Sequence, residues 1–141
     1  MRTSDEMKNR LRGEGYEDDD IEETMQWLIS KKYIDDVNYG YEYLRYAFEK
    51  GRSIGRIKYE LKEKGLSSED IQAAIFAYED ENDADIMEEE YERALGQAKR
   101  AARVNGTDEK GLAKTGRRLN SLGYSNSVIF KVLDAIRGEE R

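Results

Sequence analysis

Apolar residues recur along this chain in a pattern that occurs three times. Residues 7–28, 57–78 and 115–136 align without gaps, at offsets of 50 and 58 residues. In each segment a leucine is followed four residues later by glycine, then by Tyr or Leu, and five residues after that by Ile. A period of this length is typical of proteins built from stacked structural repeats. The matching positions are Leu11/Leu61/Leu119, Gly15/Gly65/Gly123, Tyr16/Leu66/Tyr124, Ile21/Ile71/Ile129 and Met25/Ile75/Leu133.

Each repeat predicts a helix, a turn of about three residues and a second helix. The leucine belongs to the apolar stripe of the first helix, and the glycine adopts the left-handed conformation that ends it. The next residue and the isoleucine have the spacing of a hydrophobic staple across the start of the second helix. Polar residues at the predicted helix starts are the candidate N-caps. They are Thr3, Ser53 and Thr107 for the first helices, and Glu17, Ser67 and Ser125 for the second.

Two of the repeats have room for a further helix before this pair. Residues 37–50 and 85–104 place apolar side chains on one face at helical spacing. These stripes are Val37, Tyr41, Leu44 and Phe48, and then Met87, Tyr91, Leu95, Ala98 and Ala102. We therefore predict an all-α fold of about eight helices in an extended or curved array. It comprises a truncated first repeat (1–34) and two three-helix repeats (35–82 and 83–141).

The composition argues against catalysis. Cysteine and histidine are absent, which removes disulfides, thiolate nucleophiles, imidazole bases and the usual zinc ligands. We expect no catalytic residues, no metal and no cofactor. No apolar run approaches the roughly 20 residues that a membrane span needs, and the N-terminus lacks the apolar core of a signal peptide. We therefore expect a soluble cytoplasmic protein with no membrane contact.

Charge is distributed unevenly along the chain. The net charge is −7, which argues against a protein held to nucleic acid chiefly by phosphate contacts. Residues 1–36 carry a net charge of −5, whereas residues 83–141 are neutral. The last repeat can therefore present local basic patches despite the acidic average.

The order and spacing of these repeats resemble the RecX regulatory proteins over nearly the whole chain. Residues 32–36 (KYIDD), the aromatic-rich segment after them and residues 50–57 (KGRSIGRI) are similar to the second repeat of that family. The resemblance implies a monomer that binds RecA filaments on single-stranded DNA by protein–protein contact. It would lie along the filament groove, limit filament growth, and dampen recombination, RecA ATPase activity and the repressor cleavage of the SOS response. Weak direct DNA contact stays open.

Three surfaces are candidates for partner binding. The first has tyrosines opposite the core stripe, interleaved with cations, which either stack on a partner or pack against a neighbouring repeat. The second is the basic loop 51–56, which either holds a phosphate or carboxylate at a helix N-terminus or is simply a capped turn. The third is the basic residues of the last repeat. The candidate residues are Tyr39, Tyr43, Arg45, Tyr46, Lys50, Arg52, Arg56, Lys58, Lys99, Arg100, Arg103, Lys114, Arg117 and Arg118.

Two other functions fit the helical pattern. A helix pair joined by a glycine turn also describes a helix-turn-helix DNA-binding motif, although the second helices of the first two repeats begin with acidic residues, where base-reading side chains should lie. A helical-repeat scaffold for another partner is the third possibility.

Trp27 lies off the apolar stripe, and we expect it to pack between repeats rather than to face solvent.

Overall fold

The structure, a computed structural model, describes residues 2–139, and these form eight helices and no strand. The helices are α1 (Ser4–Gly13), α2 (Asp18–Ser30), α3 (Asp36–Glu49), α4 (Ile54–Glu63), α5 (Ser68–Asn82), α6 (Glu90–Asn105), α7 (Glu109–Ser121) and α8 (Asn126–Glu139). The predicted all-α fold of about eight helices, with a helix pair in each repeat and a preceding helix in the last two, is confirmed.

The glycine turns have the predicted geometry. Gly15, Gly65 and Gly123 have φ values of +94°, +94° and +99°, which other residues adopt only at a cost. In each turn the N–H of the following residue donates to the carbonyl of the repeat leucine. The pairs are Tyr16 with Leu11 at 3.2 Å, Leu66 with Leu61 at 3.1 Å, and Tyr124 with Leu119 at 3.2 Å. This is the bond that closes a helix with a left-handed residue.

Most of the predicted N-caps form, and two do not. The hydroxyls of Thr3, Ser53, Ser67 and Ser125 accept hydrogen bonds from the backbone N–H three residues later, at 3.1, 3.1, 3.1 and 3.3 Å.

The Glu17 side chain makes no cap bond; its carboxylate has one methylene more than the favoured Asp. The cap of α7 is Asp108 rather than Thr107, because Asp108 has extended backbone angles and its carboxylate accepts from the N–H of Gly111 at 2.8 Å.

The helix predicted over 85–104 begins later than its apolar stripe suggested. The Asp85 carboxylate accepts from the N–H of Glu88 at 3.1 Å and stabilises a turn before α6. Ile86 takes the buried position, at 1% exposure, whereas Met87 is 68% exposed. The prediction that Met87 joins the core was therefore wrong by one residue.

The chain separates into two compact units. Unit 1 combines the residues up to Tyr46 with Lys58–Asn82, and unit 2 combines Ala47–Ile57 with the residues from Asp83 onward. The boundary at Asn82 coincides with the predicted end of the second repeat. That repeat contributes to both units, because the division passes through α3 and α4. The three-repeat division itself stays a prediction from the sequence.

Unit 1 has a small core in its first repeat, where Ile21, Met25 and Ile34 are buried against Met7, Leu11 and Leu28. Farther along, α3 approaches α5 closely at Gly40: a side chain there would lie 2.8 Å from the Ala74 Cβ. The glycine therefore permits a helix contact that any larger residue would prevent.

Unit 2 has a core built by α6, α7 and α8, which pack on one another. Its buried residues are Ala94, Ala98, Leu112, Leu119, Leu122, Tyr124, Ile129, Val132 and Ile136. Alanines on α6 face larger residues on the other two helices, which allows close helix packing. Within the residues that the structure describes, no helix is both long and apolar enough to cross a membrane.

Candidate partner-binding surfaces

Three tyrosines form a row along α3 in unit 1. The Tyr39 and Tyr43 rings are nearly parallel with centroids 6.3 Å apart, and the Tyr43 and Tyr46 rings follow at 6.0 Å. Tyr39 and Tyr43 are half-buried, whereas Tyr46 is 49% exposed. One end of the row is thus partly covered by its own unit and the other is open to solvent. The row is therefore compatible with both predictions, packing within the protein and stacking on a partner.

Lys64 lies beside this aromatic row, and the sequence pattern did not identify Lys64 as a candidate. Its ammonium lies 5.4 Å from the centroid of the Tyr43 ring, a cation–π distance. Partial burial would lower the pKa of Lys64, but Tyr39, Tyr43 and Glu6 outweigh burial and raise the pKa above its ordinary value. Because Lys64 follows α4 in sequence, only the fold brings it to α3.

The loop 51–56 is a capped turn whose donors are largely used inside unit 2. The Ile54 N–H donates to a Glu90 carboxylate oxygen at 3.2 Å, and the Arg56 guanidinium donates to the Ser121 carbonyl. The α4 N-terminus therefore holds a carboxylate, as the pattern allowed, but one from the same chain. Arg52 remains half-buried beside it.

Glu90 and Tyr124 tie this loop to the last repeat. The Tyr124 hydroxyl donates to the Gly51 carbonyl at 2.8 Å. Burial, and then the nearby Glu90 carboxylate, raise the pKa of Tyr124 to about 12, although Arg93 opposes the rise. Arg93 lies 3.3 Å from Glu90, and its guanidinium covers the Phe48 ring at 4.5 Å. The Glu90 carboxylate, which accepts from the N-terminus of α4, is therefore also paired with the Arg93 guanidinium.

Basic residues of the last repeat lie on the exposed faces of two packed helices. Lys99, Arg100 and Arg103 are exposed on α6. Lys114, Arg117 and Arg118 are exposed on α7. Successive residues of an α-helix are ~100° apart around its axis, so each set of three covers an arc of about 100°. Each set is therefore a compact basic patch; we call them the α6 patch and the α7 patch.

Three candidates, Arg45, Lys50 and Lys58, belong to none of these surfaces. Arg45 is exposed on α3 and pairs with Glu42 at 3.5 Å. Lys50 is exposed after the end of α3, and Lys58 is half-buried on α4.

One exposed aromatic pair contradicts its predicted position. Trp27 is 54% exposed and Tyr33 is 65% exposed, with ring centroids 5.6 Å apart. The prediction that Trp27 packs between repeats was wrong. Its position off the apolar stripe of α2 was the signal, because Ile21 and Met25 on that stripe already fill the small core.

The chain is similar to RecX regulatory proteins in both sequence and structure. The family model described as RecX, second three-helix domain, matches residues 35–75. Regulatory protein RecX of Vibrio parahaemolyticus is 30% identical over 129 residues, which cover 91% of this chain and 78% of that protein. The Clostridium beijerinckii protein is 26% identical over 141 residues, covering 96% and 62%. The crystal structure of RecX from Lactobacillus salivarius has a TM-score of 0.74 and 25% identity, covering 96% of this chain and 87% of that one.

The fold and these similarities together identify the class of protein and its family. The described residues form an all-α fold with basic patches and exposed aromatic rings, and the sequence has no histidine or cysteine. The chain belongs to the RecX family of regulatory proteins. RecX is a regulatory family and not a family of enzymes.

Proposed function

We propose that this protein binds RecA filaments on single-stranded DNA and limits their recombinase, ATPase and coprotease activities by protein–protein contact. The observation that carries the proposal is membership of the RecX family over 91% of the chain. The absence of cysteine and histidine supports action by binding, because the usual nucleophiles and bases are missing.

The exposed surfaces suit a charged filament. The α6 and α7 patches offer six cations from adjacent helices, and such groups bind carboxylates and phosphates by charge-assisted hydrogen bonds. The tyrosine row with Lys64 provides stacking surface beside a cation. We assign filament contact to the basic patches and the open end of the row at Tyr46, because these side chains are exposed and grouped together.

A duplex-reading helix-turn-helix protein is the weaker alternative. The second helices of the first two repeats begin with acidic residues, Asp18–Asp20 in α2 and Glu69 with Asp70 in α5. A recognition helix enters the major groove with its N-terminal residues, where these carboxylates would face phosphates. The charge therefore favours a protein partner.

The test is RecA ATP hydrolysis on single-stranded DNA with this protein titrated in at two salt concentrations. Inhibition at a protein concentration well below that of RecA is the expected result, since a bound modulator that stops filament growth affects many subunits. Binding to duplex DNA without RecA would support the helix-turn-helix alternative instead. No effect from protein that is folded by circular dichroism would contradict the proposal and favour a scaffold for a different partner.

A further inference from the structure

Two helix N-termini in this chain dock on equivalent glycine turns, one through a hydroxyl and the other through a backbone N–H. The Thr3 hydroxyl donates to the Lys64 carbonyl at 2.8 Å in unit 1. The Ser53 N–H donates to the Leu122 carbonyl at 2.9 Å in unit 2. Thr3 and Ser53 are equivalent N-caps, 50 residues apart, and they are 0% and 2% exposed. Lys64 and Leu122 are also equivalent, since each precedes the repeat glycine.

A carboxylate completes each of these contacts. The Ser4 N–H donates to Asp36 at 2.8 Å, and the Ile54 N–H donates to Glu90 at 3.2 Å. Asp36 and Glu90 are the first residues of α3 and α6. We call this combination of capped N-terminus, glycine turn and carboxylate a repeat junction.

The glycine is required sterically as well as conformationally. A side chain at Gly65 would overlap the Asp5 Cβ, and one at Gly123 would lie 2.5 Å from the Arg56 Cβ. The residue after each glycine is covered too, with Leu66 at 4% exposure and Tyr124 at 3%. Both turns are therefore fully occupied by a helix start from the preceding repeat.

The equivalent turn of the first repeat is unoccupied in the described part of the chain. A side chain at Gly15 would meet nothing within 4 Å. Tyr16, the counterpart of Leu66 and Tyr124, is 54% exposed. Among residues 2–139 no donor reaches the carbonyl of Glu14, the counterpart of Lys64 and Leu122. The turn 13–17 thus has the receiving half of a repeat junction without the inserted half.

Charge indicates which helix start would fit. Glu14, Glu17 and Asp18 are exposed around this turn; Glu14 lies 3.3 Å from Arg10 and Asp18 lies 3.9 Å from Arg12. The carboxylates of residues 14–20 outnumber these two arginines, so the surface would attract a basic residue and the positive end of a helix. In the Gly123 junction the inserted helix supplies a basic residue, Arg56, whose guanidinium donates to the Ser121 carbonyl of the turn. The equivalent helix start of the last repeat, that of α7, is unsuitable, because its Asp108 and Glu109 would face the acidic residues of the turn.

We propose that the turn 13–17 binds the N-terminus of a helix in another protein. That helix begins with Ser or Thr and carries Arg or Lys in its first turn, as α4 does. The N-cap residue donates to the Glu14 carbonyl, through its hydroxyl as Thr3 does or through its N–H as Ser53 does, and the basic side chain lies against the acidic residues of the turn. The proposal stands independently of RecA, since it rests on the two junctions within this chain.

The test uses the whole protein, labelled with ¹⁵N, and a side-chain-stapled helical peptide with the sequence of residues 50–66. The staple supplies helicity that a short peptide lacks in water. Titration should shift the amide signals of residues 13–17 saturably. A peptide with Ser53→Ala should bind about five-fold more weakly, the usual effect of losing a hydroxyl N-cap. Tyr16→Ala in the protein should weaken binding similarly, whereas Tyr33→Ala, which truncates another exposed tyrosine of the same repeat, should not.

Several results would overturn this proposal. Signal shifts confined to residues outside 13–17 would show that the peptide binds elsewhere. Equal binding by the serine and alanine peptides would show that the turn does not recognise a capped helix start. Equal binding by the Tyr16→Ala and Tyr33→Ala proteins would have the same meaning. Shifts of this turn with protein concentration alone, without peptide, would identify a second copy as the occupant.

Discussion

The buried hydroxyl of Tyr124 connects the last repeat to the loop after α3. Tyr124→Phe keeps the ring but leaves the Gly51 carbonyl without this donor. We expect the free energy of unfolding to fall by about 1 kcal/mol, the usual net effect of one hydrogen bond. Urea denaturation followed by far-ultraviolet circular dichroism measures it. Tyr16→Phe is the matched control, because Tyr16 is 54% exposed, and an equal loss there would remove the assignment.

The same tyrosine should make stability depend on alkaline pH. The pKa of Tyr124 is about 12 in the folded protein, against about 10 in an unfolded chain. Between these values the unfolded state loses the proton first, so the stabilisation present below pH 10 decreases as pH rises. The stability difference between the natural protein and Tyr124→Phe should therefore shrink from pH 9 to pH 11. A constant difference would show that the hydroxyl titrates normally in the fold.

Thr3 has two roles that one substitution can remove. Its hydroxyl accepts from the Glu6 N–H at 3.1 Å and donates to the Lys64 carbonyl at 2.8 Å. Thr3→Val preserves shape and removes both bonds at a fully buried position. The expected loss of unfolding free energy is about 2 kcal/mol. Thr24→Val, at an exposed position on α2, should change stability little. A loss below about 0.5 kcal/mol would contradict the role of the hydroxyl.

Single residues were predictable from the sequence where their interactions are local. Ser53, Ser67 and Ser125 cap helices whose starts the repeat pattern indicates, and each bonds to a residue three positions away. Lys64 and Glu90 were missed because their contacts lie 21 and 36 residues away in sequence. Nothing in their local pattern distinguishes them from solvated surface charges.

At the scale of elements, the three glycine turns offer a matched series. Gly15→Ala, Gly65→Ala and Gly123→Ala all introduce a side chain at positive φ, which costs about 1 kcal/mol. Only the last two also force a docked helix start to move. We expect Gly65→Ala and Gly123→Ala to destabilise at least twice as much as Gly15→Ala in urea denaturation. Three equal values would show that the docked helices yield freely, and would weaken the case for repeat junctions.

Helix boundaries show what periodicity alone can establish. The stripe of α3 was predicted correctly because Leu44 is fully buried at helical spacing from its neighbours. The start of α6 was placed five residues early, since Met87 matched the stripe by spacing but precedes the helix. The Asp85 carboxylate accepts from the Glu88 N–H and stabilises a turn there, and apolar spacing carries no information about such a bond.

For the whole molecule, the repeats were visible in sequence, whereas the contact pattern between helices was not. Matching leucines and glycines identified three helix pairs. The division of α3 and α4 between two compact units depends instead on contacts of Gly40 and of the loop 51–56 with distant residues. The candidate cations were likewise predictable as residue types, but the fold decides which are engaged: Arg56 holds the Ser121 carbonyl, while Arg100 and Arg103 are exposed.

If this protein inhibits RecA filaments as proposed, the inhibition should depend on the α6 patch more than on the protein's total charge. We expect the triple variant Lys99→Glu, Arg100→Glu and Arg103→Glu to need at least about ten-fold more protein for half-inhibition of RecA ATP hydrolysis. This follows from roughly 0.5 kcal/mol for each exposed charge contact. The effect should be largest at low salt, because ions screen exposed charges.

The control carries the same change in net charge elsewhere. Arg10→Glu, Arg12→Glu and Lys31→Glu reverse three exposed cations within residues 1–36, where the net charge is already −5. If general repulsion from a negatively charged filament governs binding, the two triple variants will lose inhibition equally. If the α6 patch contacts the filament, the first variant will lose it selectively, and both will keep the helical circular dichroism of the natural protein. Selective loss would place the contact on one face of α6 and justify mapping the α7 patch by the same pair of measurements.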